Sequence, residues 1–169
     1  MVSDADLVVF AGRPGVGKTS VARAVAERLG ATFLRIDTIE AAIATTLTPF
    51  QGNPVGYVVA ERVAADQLRA GRSVVADAVN GVQIARDGWT AVAAECGARL
   101  HFVEVVCSDT DEHRRRVEGR GPEMPGHGVP TWEQVIRRRW DPFVEERLVV
   151  DNTGALDDAV DTVVAHLAV

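Results

Sequence analysis

The sequence predicts an α/β fold of three layers, with a five-stranded parallel sheet between two layers of helices. Short apolar runs alternate with longer segments of helical apolar spacing along the whole chain. Several of the helical segments stop at a glycine, as helices often do. Alternation of strands and helices favours a parallel sheet, because parallel strands need crossover connections. The chain has 169 residues, which suits one domain over residues 1–169.

The predicted strands are short apolar runs bounded by turn residues. The first is a continuous apolar run that ends at Gly12, which is typical of a strand buried on both faces. The five strands are predicted at Leu7–Ala11, Thr32–Ile36, Ser73–Ala78, Arg99–Val106 and Leu148–Asp151.

The predicted helices are marked by their periodicity and their caps. Gly30, Gly71 and Gly97 follow three of them. Thr131 with Gln134 has the spacing of a capping box, and Asp109 or the serine before it is a suitable N-cap. The seven helices are predicted at Thr19–Leu29, Thr38–Leu47, Val55–Ala70, Val82–Cys96, Asp109–Arg120, Thr131–Phe143 and Leu156–Leu167. Residues 48–54 and 121–130 are rich in proline and glycine, and we expect loops there.

Composition excludes little but lowers the expectation of nucleic acid as a partner. Lys plus Arg is 18 and Asp plus Glu is 24, so the net charge is −6, whereas nucleic-acid tracks are basic. Cys96 and Cys107 lack metal-site spacing, which predicts reduced thiols. The first residues, MVSDADLVVF, resemble neither a signal peptide nor a membrane span. We therefore expect a cytoplasmic protein, either a monomer or a homodimer.

A phosphate-binding motif follows the first strand. Residues 12–19 read GRPGVGKT and match G-x-x-x-x-G-K-[ST]. Such glycines let backbone N–H groups point inward at phosphate oxygens, and the following helix start favours an anion. Lys18 is expected to bridge the β- and γ-phosphates of ATP, and the Thr19 hydroxyl to bind Mg²⁺. We expect the nucleotide contacts from Gly12, Arg13, Pro14, Gly15, Val16, Gly17, Lys18, Thr19 and Ser20.

The chain around this motif resembles small P-loop kinases. The opening stretch VVFAGRPGVGKTSVARAVAERLGATFLRIDTIE is similar to theirs, and the likeness continues through VVADAVN, HRRRVEGR, TWEQVIRRRWDPF and VVDNTG. The closest resemblance is to the AAA-33 or chloramphenicol phosphotransferase-like group, related to shikimate and gluconate kinases, zeta toxin and polynucleotide 5′-kinase. The resemblance implies a P-loop NTPase fold of the nucleoside-monophosphate-kinase kind, with ATP and Mg²⁺ as cofactors. It also implies a small hydroxylated acceptor and an arginine lid at about residues 114–131.

Asp37 is the candidate catalytic base. It follows a predicted strand, and ligands of open α/β sheets bind at the carboxyl ends of strands. In the kinases that this chain resembles, the aspartate at this place accepts the proton of the acceptor hydroxyl or holds the acceptor. The alternative is an N-cap, because Glu40 stands three residues later.

The segment after the third strand offers metal and acceptor contacts. Asp77 ends an apolar run in the manner of a Walker B aspartate, so it could bind Mg²⁺ or the acceptor. Related kinases line the acceptor pocket from this segment, which makes Asn80 and Arg86 candidate substrate contacts. Structural roles remain open for all three residues.

The charged segment HRRRVEGR is the candidate lid. Arg116 and Arg120 are four residues apart, which predicts one helical face. Arginines on a closing lid would stabilise the charge of the transferred phosphoryl group and exclude water. Arg114 and Arg115 are weaker candidates, and the arginines at 137–139 face either phosphate or solvent.

The resemblance also indicates where the adenine and the acceptor would lie. The loop at Asn152 would pack beside the adenine ring, with Arg120 on its other face. Residues 48–57 occupy the place where acceptor specificity is built, so Phe50 and Tyr57 are candidate walls of the acceptor pocket.

The leading functional hypothesis is an ATP-dependent phosphotransferase acting on a hydroxyl of a metabolite, nucleoside or antibiotic. A nucleotide or polynucleotide 5′-kinase is the first alternative, and the acidic balance lowers it. A regulatory ATPase or nucleotide switch is the alternative from another class. A zeta-like toxin acting on a sugar nucleotide rests on the resemblance alone.

Overall fold

The computed structural model describes residues 5–46, 54–122 and 128–168. Its sheet has five strands, all of them parallel, in the order β2-β3-β1-β4-β5. The predicted parallel α/β sheet is therefore confirmed. The strands are β1 (Asp6–Ala11), β2 (Thr32–Arg35), β3 (Val74–Asp77), β4 (Arg99–Val106) and β5 (Arg147–Asp151).

Seven helices are found within the described residues, and they cover both faces of the sheet. Alternate residues of β1 point into two separate cores. Leu7 and Val9 pack with α3 and α4, whereas Val8 and Phe10 pack with α1 and α7. The central strand is apolar throughout because both of its faces are buried. The helices are α1 (Lys18–Leu29), α2 (Ile36–Thr46), α3 (Val55–Arg69), α4 (Gln83–Cys96), α5 (Thr110–Glu118), α6 (Trp132–Arg137) and α7 (Leu156–Leu167).

Helix ends follow the predicted caps closely. Gly30 and Gly97 adopt left-handed backbone conformations directly after α1 and α4. The Asp109 carboxylate accepts from the first backbone amides of α5, as an N-cap does. Thr131 and Gln134 form the reciprocal bonds of a capping box at α6.

Two predicted helices are too long. Gly119 caps α5, so Arg120 lies beyond the helix and not on the same helical face as Arg116. The predicted helix Thr131–Phe143 ends at Arg137, and the backbone of Arg138 turns extended with ψ of 131°. Pro142 disfavours helix for the residue before it. The aromatic rings of this segment pack instead against β4 and against the residues just before α4. Residues 48–53 and 123–127 of the predicted loops lie outside the described residues.

No helix among the described residues combines the length and the apolar character needed to cross a membrane.

Candidate active site

The phosphate-binding loop connects β1 to α1 at the carboxyl edge of the sheet. Gly15 and Gly17 have φ of 86° and 85°, a left-handed conformation that favours glycine. Neither position has room for a side chain: a Cβ atom at Gly15 would collide with Val117, and one at Gly17 with the amide of Asn152. The loop is therefore shaped by its glycines and by the elements that pack against it.

Lys18 and Asp77 form a buried ion pair beneath this loop. The Lys18 Nζ lies 2.6 Å from Asp77 Oδ1, and the two side chains are 8% and 1% exposed. The pair forms because β3 lies beside β1 and Asp77 is the last residue of its strand. Lys18 is thus held, with its charge balanced, where the sequence predicts the β- and γ-phosphates.

The residues predicted to hold Mg²⁺ have a suitable donor set. Asp77 Oδ2 is buried and has no hydrogen-bond partner among the described residues, so one carboxylate oxygen is uncommitted. Thr19 lines the cavity in front of the loop. Carboxylate and hydroxyl oxygens are ligands that Mg²⁺ accepts together with substrate phosphates and water. Because the Asp77 side chain is 1% exposed, direct contact with an acceptor does not fit its position.

Two side chains connect the phosphate-binding loop to α5 and α6 by hydrogen bonds that the sequence did not predict. Arg13 Nη1 donates to the carbonyl oxygens of Val135 and Arg138, at 2.6 and 3.1 Å, at the end of α6. His113 Nε2 of α5 donates to the carbonyl oxygen of Pro14 at 2.8 Å. Arg13 belongs to the phosphate-binding motif, and His113 belongs to the candidate lid segment. Neither motif reveals that these side chains bind backbone carbonyl oxygens.

The loop after β5 also forms a hydrogen bond with the phosphate-binding loop. Asn152 is 7% exposed, and its Nδ2 donates to the carbonyl oxygen of Val16 at 2.9 Å. Arg116 Nη1 donates to the carbonyl oxygen of Asn152 at 2.8 Å, and Arg116 Nε to Glu112 at 2.7 Å. Hydrogen bonds from Arg115 and Arg116 lower the pKa of Glu112 to about 2. The predicted adenine loop therefore contacts the phosphate loop, and its arginine neighbour is Arg116.

A cavity of about 330 Å³ opens in front of the phosphate loop, and we call it the phosphate cavity. It brings together the four residues predicted as catalytic, which come from three separate parts of the chain. Its lining consists of Arg13, Pro14, Gly15, Gly17, Lys18, Thr19, Ser20, Asp37, Val79, Arg116 and Arg120.

A second cavity, of about 530 Å³, adjoins the first, and we call it the acceptor cavity. Asp37 and Arg120 line both cavities. Asp37 lies in the first turn of α2, two residues after β2, so the alternative N-cap role is wrong because α2 already begins at Ile36. Asp37 is 30% exposed and lies 3.9 Å from the Arg35 guanidinium. The other residues of this lining are Pro14, Arg35, Glu40, Val79, Gly121, Gly128, Val129, Pro130, Gln134, Val135 and Arg138.

The family model described as an AAA domain, AAA_33, matches residues 7–142. The chain belongs to the AAA_33 family. A comparison with curated proteins finds no match.

Solved structures share the fold of this AAA_33 protein. A predicted kinase from Chloroflexus aurantiacus has a TM-score of 0.78 and 21% identity, with 96% of this chain and 98% of that chain covered. The Mycobacterium tuberculosis APS kinase CysC, in complex with AMPPNP and APS, has a TM-score of 0.73 and 19% identity, with coverage of 98% and 99%. A gluconokinase from Sinorhizobium meliloti has a TM-score of 0.67 and 24% identity, with coverage of 99% and 94%. At these identities the likeness establishes a P-loop NTPase fold.

Two predicted substrate contacts of the AAA_33 protein are enclosed by the protein itself. Asn80 is fully buried with φ of 47°, and its Nδ2 donates to the carbonyl oxygen of Phe10 at 2.7 Å. Its Oδ1 accepts from the Trp89 indole at 3.1 Å. Arg86 is also fully buried: it forms an ion pair with Glu145 at 3.1 Å and donates to three backbone carbonyls. Direct contact with a substrate does not fit this burial, so we assign both residues to structure.

The other arginines of the AAA_33 protein that were candidates for phosphate contact are either exposed to solvent or line a cavity. Arg114, Arg115 and Arg137 are exposed and form ion pairs within their own helices. Arg138 lines the acceptor cavity from the end of α6. Of the candidate acceptor walls, Phe50 lies outside the described residues, and Tyr57 lines a neighbouring cavity and not the acceptor cavity itself.

Proposed function

We propose that this AAA_33 protein is an ATP-dependent phosphotransferase that moves the γ-phosphoryl group of Mg-ATP to a hydroxyl group of a small molecule. The observation that carries the proposal is the position of Asp37, which lines both the phosphate cavity and the acceptor cavity. A carboxylate at that junction can hold the attacking hydroxyl on one side while the P-loop holds the triphosphate on the other.

The proposed transfer assigns a role to each side chain at the junction. Asp37 accepts the proton of the acceptor hydroxyl while the acceptor oxygen forms a bond to the γ-phosphorus. The bond between that phosphorus and the β–γ bridging oxygen breaks, which leaves ADP. Lys18 would leave its ion pair with Asp77 far enough to share its charge with the β- and γ-phosphates. Arg116 and Arg120 stabilise the negative charge of the transferred group from the lid side.

The cofactor site is proposed at Thr19 and Asp77, for which the uncommitted oxygen of Asp77 is the support. When bound there, Mg²⁺ would neutralise phosphate charge and help to orient the γ-phosphoryl group.

The structural relatives support transfer to a small molecule. Two of them are named as kinases of gluconate and of APS, and the second was crystallised with both AMPPNP and APS. The Kti12 protein of Chaetomium thermophilum, at 16% identity, was crystallised in complex with ADP-AlF3. The cavity beside the nucleotide loop favours a kinase over a nucleotide switch, because a switch does not need an acceptor site.

Replacing Asp37 tests the proposal directly. For Asp37→Asn we expect a loss of at least about 100-fold in kcat, because general-base catalysis contributes that much or more. Acceptor-dependent release of ADP from Mg-ATP measures it, across a panel of polyols, sugar acids, nucleosides and hydroxylated antibiotics.

The matched control is Asp66→Asn, which changes an aspartate on the exposed side of α3 whose side chain is 78% exposed. It is expected to retain wild-type turnover. Wild-type turnover in a well-folded Asp37→Asn protein would remove the base role. Nucleotide binding without acceptor-dependent ADP release across the panel would favour the regulatory ATPase.

A further inference from the structure

A third cavity, of about 470 Å³, lies between α3 and α4, and we call it the apolar cleft. Most of its lining surface is apolar, whereas the lining of the acceptor cavity is evenly divided between polar and apolar surface. Its lining consists of Glu40, Pro54, Tyr57, Val58, Glu61, Val79, Gly81, Val82, Ile84, Ala85, Gly88, Arg138 and Arg139.

Aliphatic side chains stand open to solvent in this cleft. Ile84 on α4 is 80% exposed, and Val58 on α3 is 47% exposed. Exposed aliphatic residues are common one at a time, but two that line the same concave surface from different helices indicate a ligand surface. The Glu61 carboxylate of α3 occupies the space beside Gly88 of α4 that a Cβ atom would otherwise fill.

The apolar cleft is continuous with the acceptor cavity. Glu40, Val79 and Arg138 line both. The acceptor cavity has a volume of about 530 Å³, so the two compartments together exceed the space that a short polyol fills. A molecule held at Asp37 could therefore extend along Val79 into the cleft.

The charges of the cleft do not select an ionic ligand. Charges of both signs lie in the lining, namely Glu40, Glu61, Arg138 and Arg139, and Arg139 is itself paired with Asp141 at 2.8 Å. Burial raises the pKa of Glu61. Burial also raises the pKa of Tyr57 to about 12, so its hydroxyl stays neutral. An uncharged group with an apolar surface matches this lining best.

We propose that the acceptor is an amphiphilic alcohol, whose hydroxyl group lies at Asp37 and whose uncharged alkyl or aryl body fills the apolar cleft beside Val58 and Ile84. This inference rests on the proposed function and adds the chemical class of the acceptor. We assign the acceptor as the occupant of the cleft because the cleft shares lining residues with the cavity at Asp37.

A series of 1-alkyl glycerol ethers, from methyl to hexyl, tests the inference. All members carry the same reacting diol and differ only in the apolar body. With AMP-PNP and Mg²⁺ present, calorimetry is expected to show the dissociation constant falling roughly three- to fourfold for each added methylene. With Mg-ATP, kcat/KM for ADP release is expected to rise in the same proportion.

Ile84→Asp places a carboxylate in the cleft, and we expect it to flatten the dependence on chain length. Val144→Asp is the matched control, since Val144 is 82% exposed and lies outside the cleft lining. It should retain the wild-type slope, and thermal unfolding of both variants checks their folding.

The outcomes separate this inference from the proposed function. A binding series that is flat in the wild type overturns the inference and assigns the cleft to another occupant, such as a side chain of a partner protein. If polyols still release ADP in that case, the phosphotransferase stands without the amphiphilic acceptor. An equal slope in Ile84→Asp also overturns the inference, because the apolar body then lies elsewhere. Tighter binding with length but no ADP release from any acceptor overturns the transfer.

Discussion

Lys18 and Asp77 form a buried ion pair beside the loop that is proposed to bind the phosphates of ATP. Neither side chain is more than 8% exposed, and the attraction between the two charges offsets the hydration that both groups lose on burial. A phosphate group entering the loop would compete with Asp77 for the ammonium group. Asp77 therefore lowers the cost of keeping Lys18 buried before the nucleotide binds.

Removing one partner should cost more than removing both. For Asp77→Ala we expect the free energy of unfolding to fall by about 3–5 kcal/mol, because an unpaired ammonium group stays buried. The double variant Lys18→Met with Asp77→Leu should recover much of that loss. Urea unfolding of the nucleotide-free proteins measures both values.

A surface pair provides the control. Arg28 and Asp161 lie 3.0 Å apart and are 51% and 64% exposed, so Asp161→Ala should change the unfolding free energy by less than about 1 kcal/mol. If Asp77→Ala behaves like Asp161→Ala, the pair has no structural importance.

The sequence predicted the positions of single residues where a motif constrained them. It did not predict the roles of residues that are determined by burial. The four predicted catalytic residues line one cavity because the phosphate motif and the strand edge constrain their positions. Asn80 and Arg86 were misassigned because polar side chains are rarely fully buried, and nothing in the local sequence reveals that they are. The pairing of Asn152 with the carbonyl of Val16 was equally invisible, since 136 residues separate them.

At the scale of elements, Arg13 joins the phosphate loop to α6. Its guanidinium group lies over the Trp140 ring at 5.1 Å and donates to the two carbonyl oxygens at the helix end. The same helix end carries Arg138 into the acceptor cavity. Arg13 thus links the part of the chain that is proposed to bind ATP to the part that is proposed to bind the acceptor.

Arg13→Met is expected to raise the KM for the acceptor about tenfold, because it removes two hydrogen bonds from a charged donor. The affinity for AMP-PNP should change less, since the backbone amide of residue 13 remains. Steady-state kinetics and calorimetry measure the two quantities. Arg28→Met, on the exposed side of α1, is the control, and an equal loss in both quantities would contradict the link.

The ends of β4 and β5 are joined by a polar clip that should respond to acid. The Asp151 carboxylate accepts from the Ser108 and Thr153 hydroxyls and from both of their backbone amides. The hydrogen bond from Ser108 is the largest cause, and together they lower the pKa of Asp151 from 3.8 to about 2.

A carboxyl group whose pKa is lowered by folding stabilises the protein above its unfolded pKa, and that stabilisation is lost as the pH falls toward the folded pKa. The stability difference between wild type and Asp151→Asn should therefore shrink between about pH 4 and pH 2. Urea unfolding at successive pH values measures it. Asp66→Asn should show no such trend, and a difference for Asp151→Asn that stays constant with pH would contradict the role of the clip.

Helix ends illustrate what local signals can and cannot predict. The glycines after α1 and α4 and the capping box at α6 are local signals, and those predictions held. The end of α6 depends on long-range packing, because Phe143 meets Phe102 of β4 at a ring distance of 6.2 Å. A periodic apolar pattern continues through that segment, but the tertiary contact determines its course.

At the scale of the whole molecule, the phosphate loop follows the strand at which the sheet order reverses. From β1 the chain builds β2 and β3 on one side and then β4 and β5 on the other. A crevice forms at such a switch point, and ligands of open α/β sheets bind there. Alternation of strands and helices was enough to predict a parallel sheet between two layers of helices, but it did not predict the order of the strands.

Binding of Mg-ATP should stabilise the whole domain. At about 100 times the dissociation constant a ligand adds about 2.7 kcal/mol, which for a domain of this size raises Tm by roughly 5–10 °C. Differential scanning calorimetry measures the shift. Lys18→Ala should lose most of it and excess EDTA should reduce it, whereas an unchanged Tm with ATP in the wild type would contradict nucleotide binding.

Val79 has a consequence for how such a protein can acquire new substrates. Its side chain belongs to all three compartments, and its carbonyl oxygen accepts from the amide of Gly12 at 3.1 Å. A mutation there would alter nucleotide and acceptor recognition at once, which natural selection seldom tolerates. Ile84 touches only the outermost compartment, so we expect evolutionary drift and laboratory selection for altered specificity to change position 84 first and to leave position 79 alone.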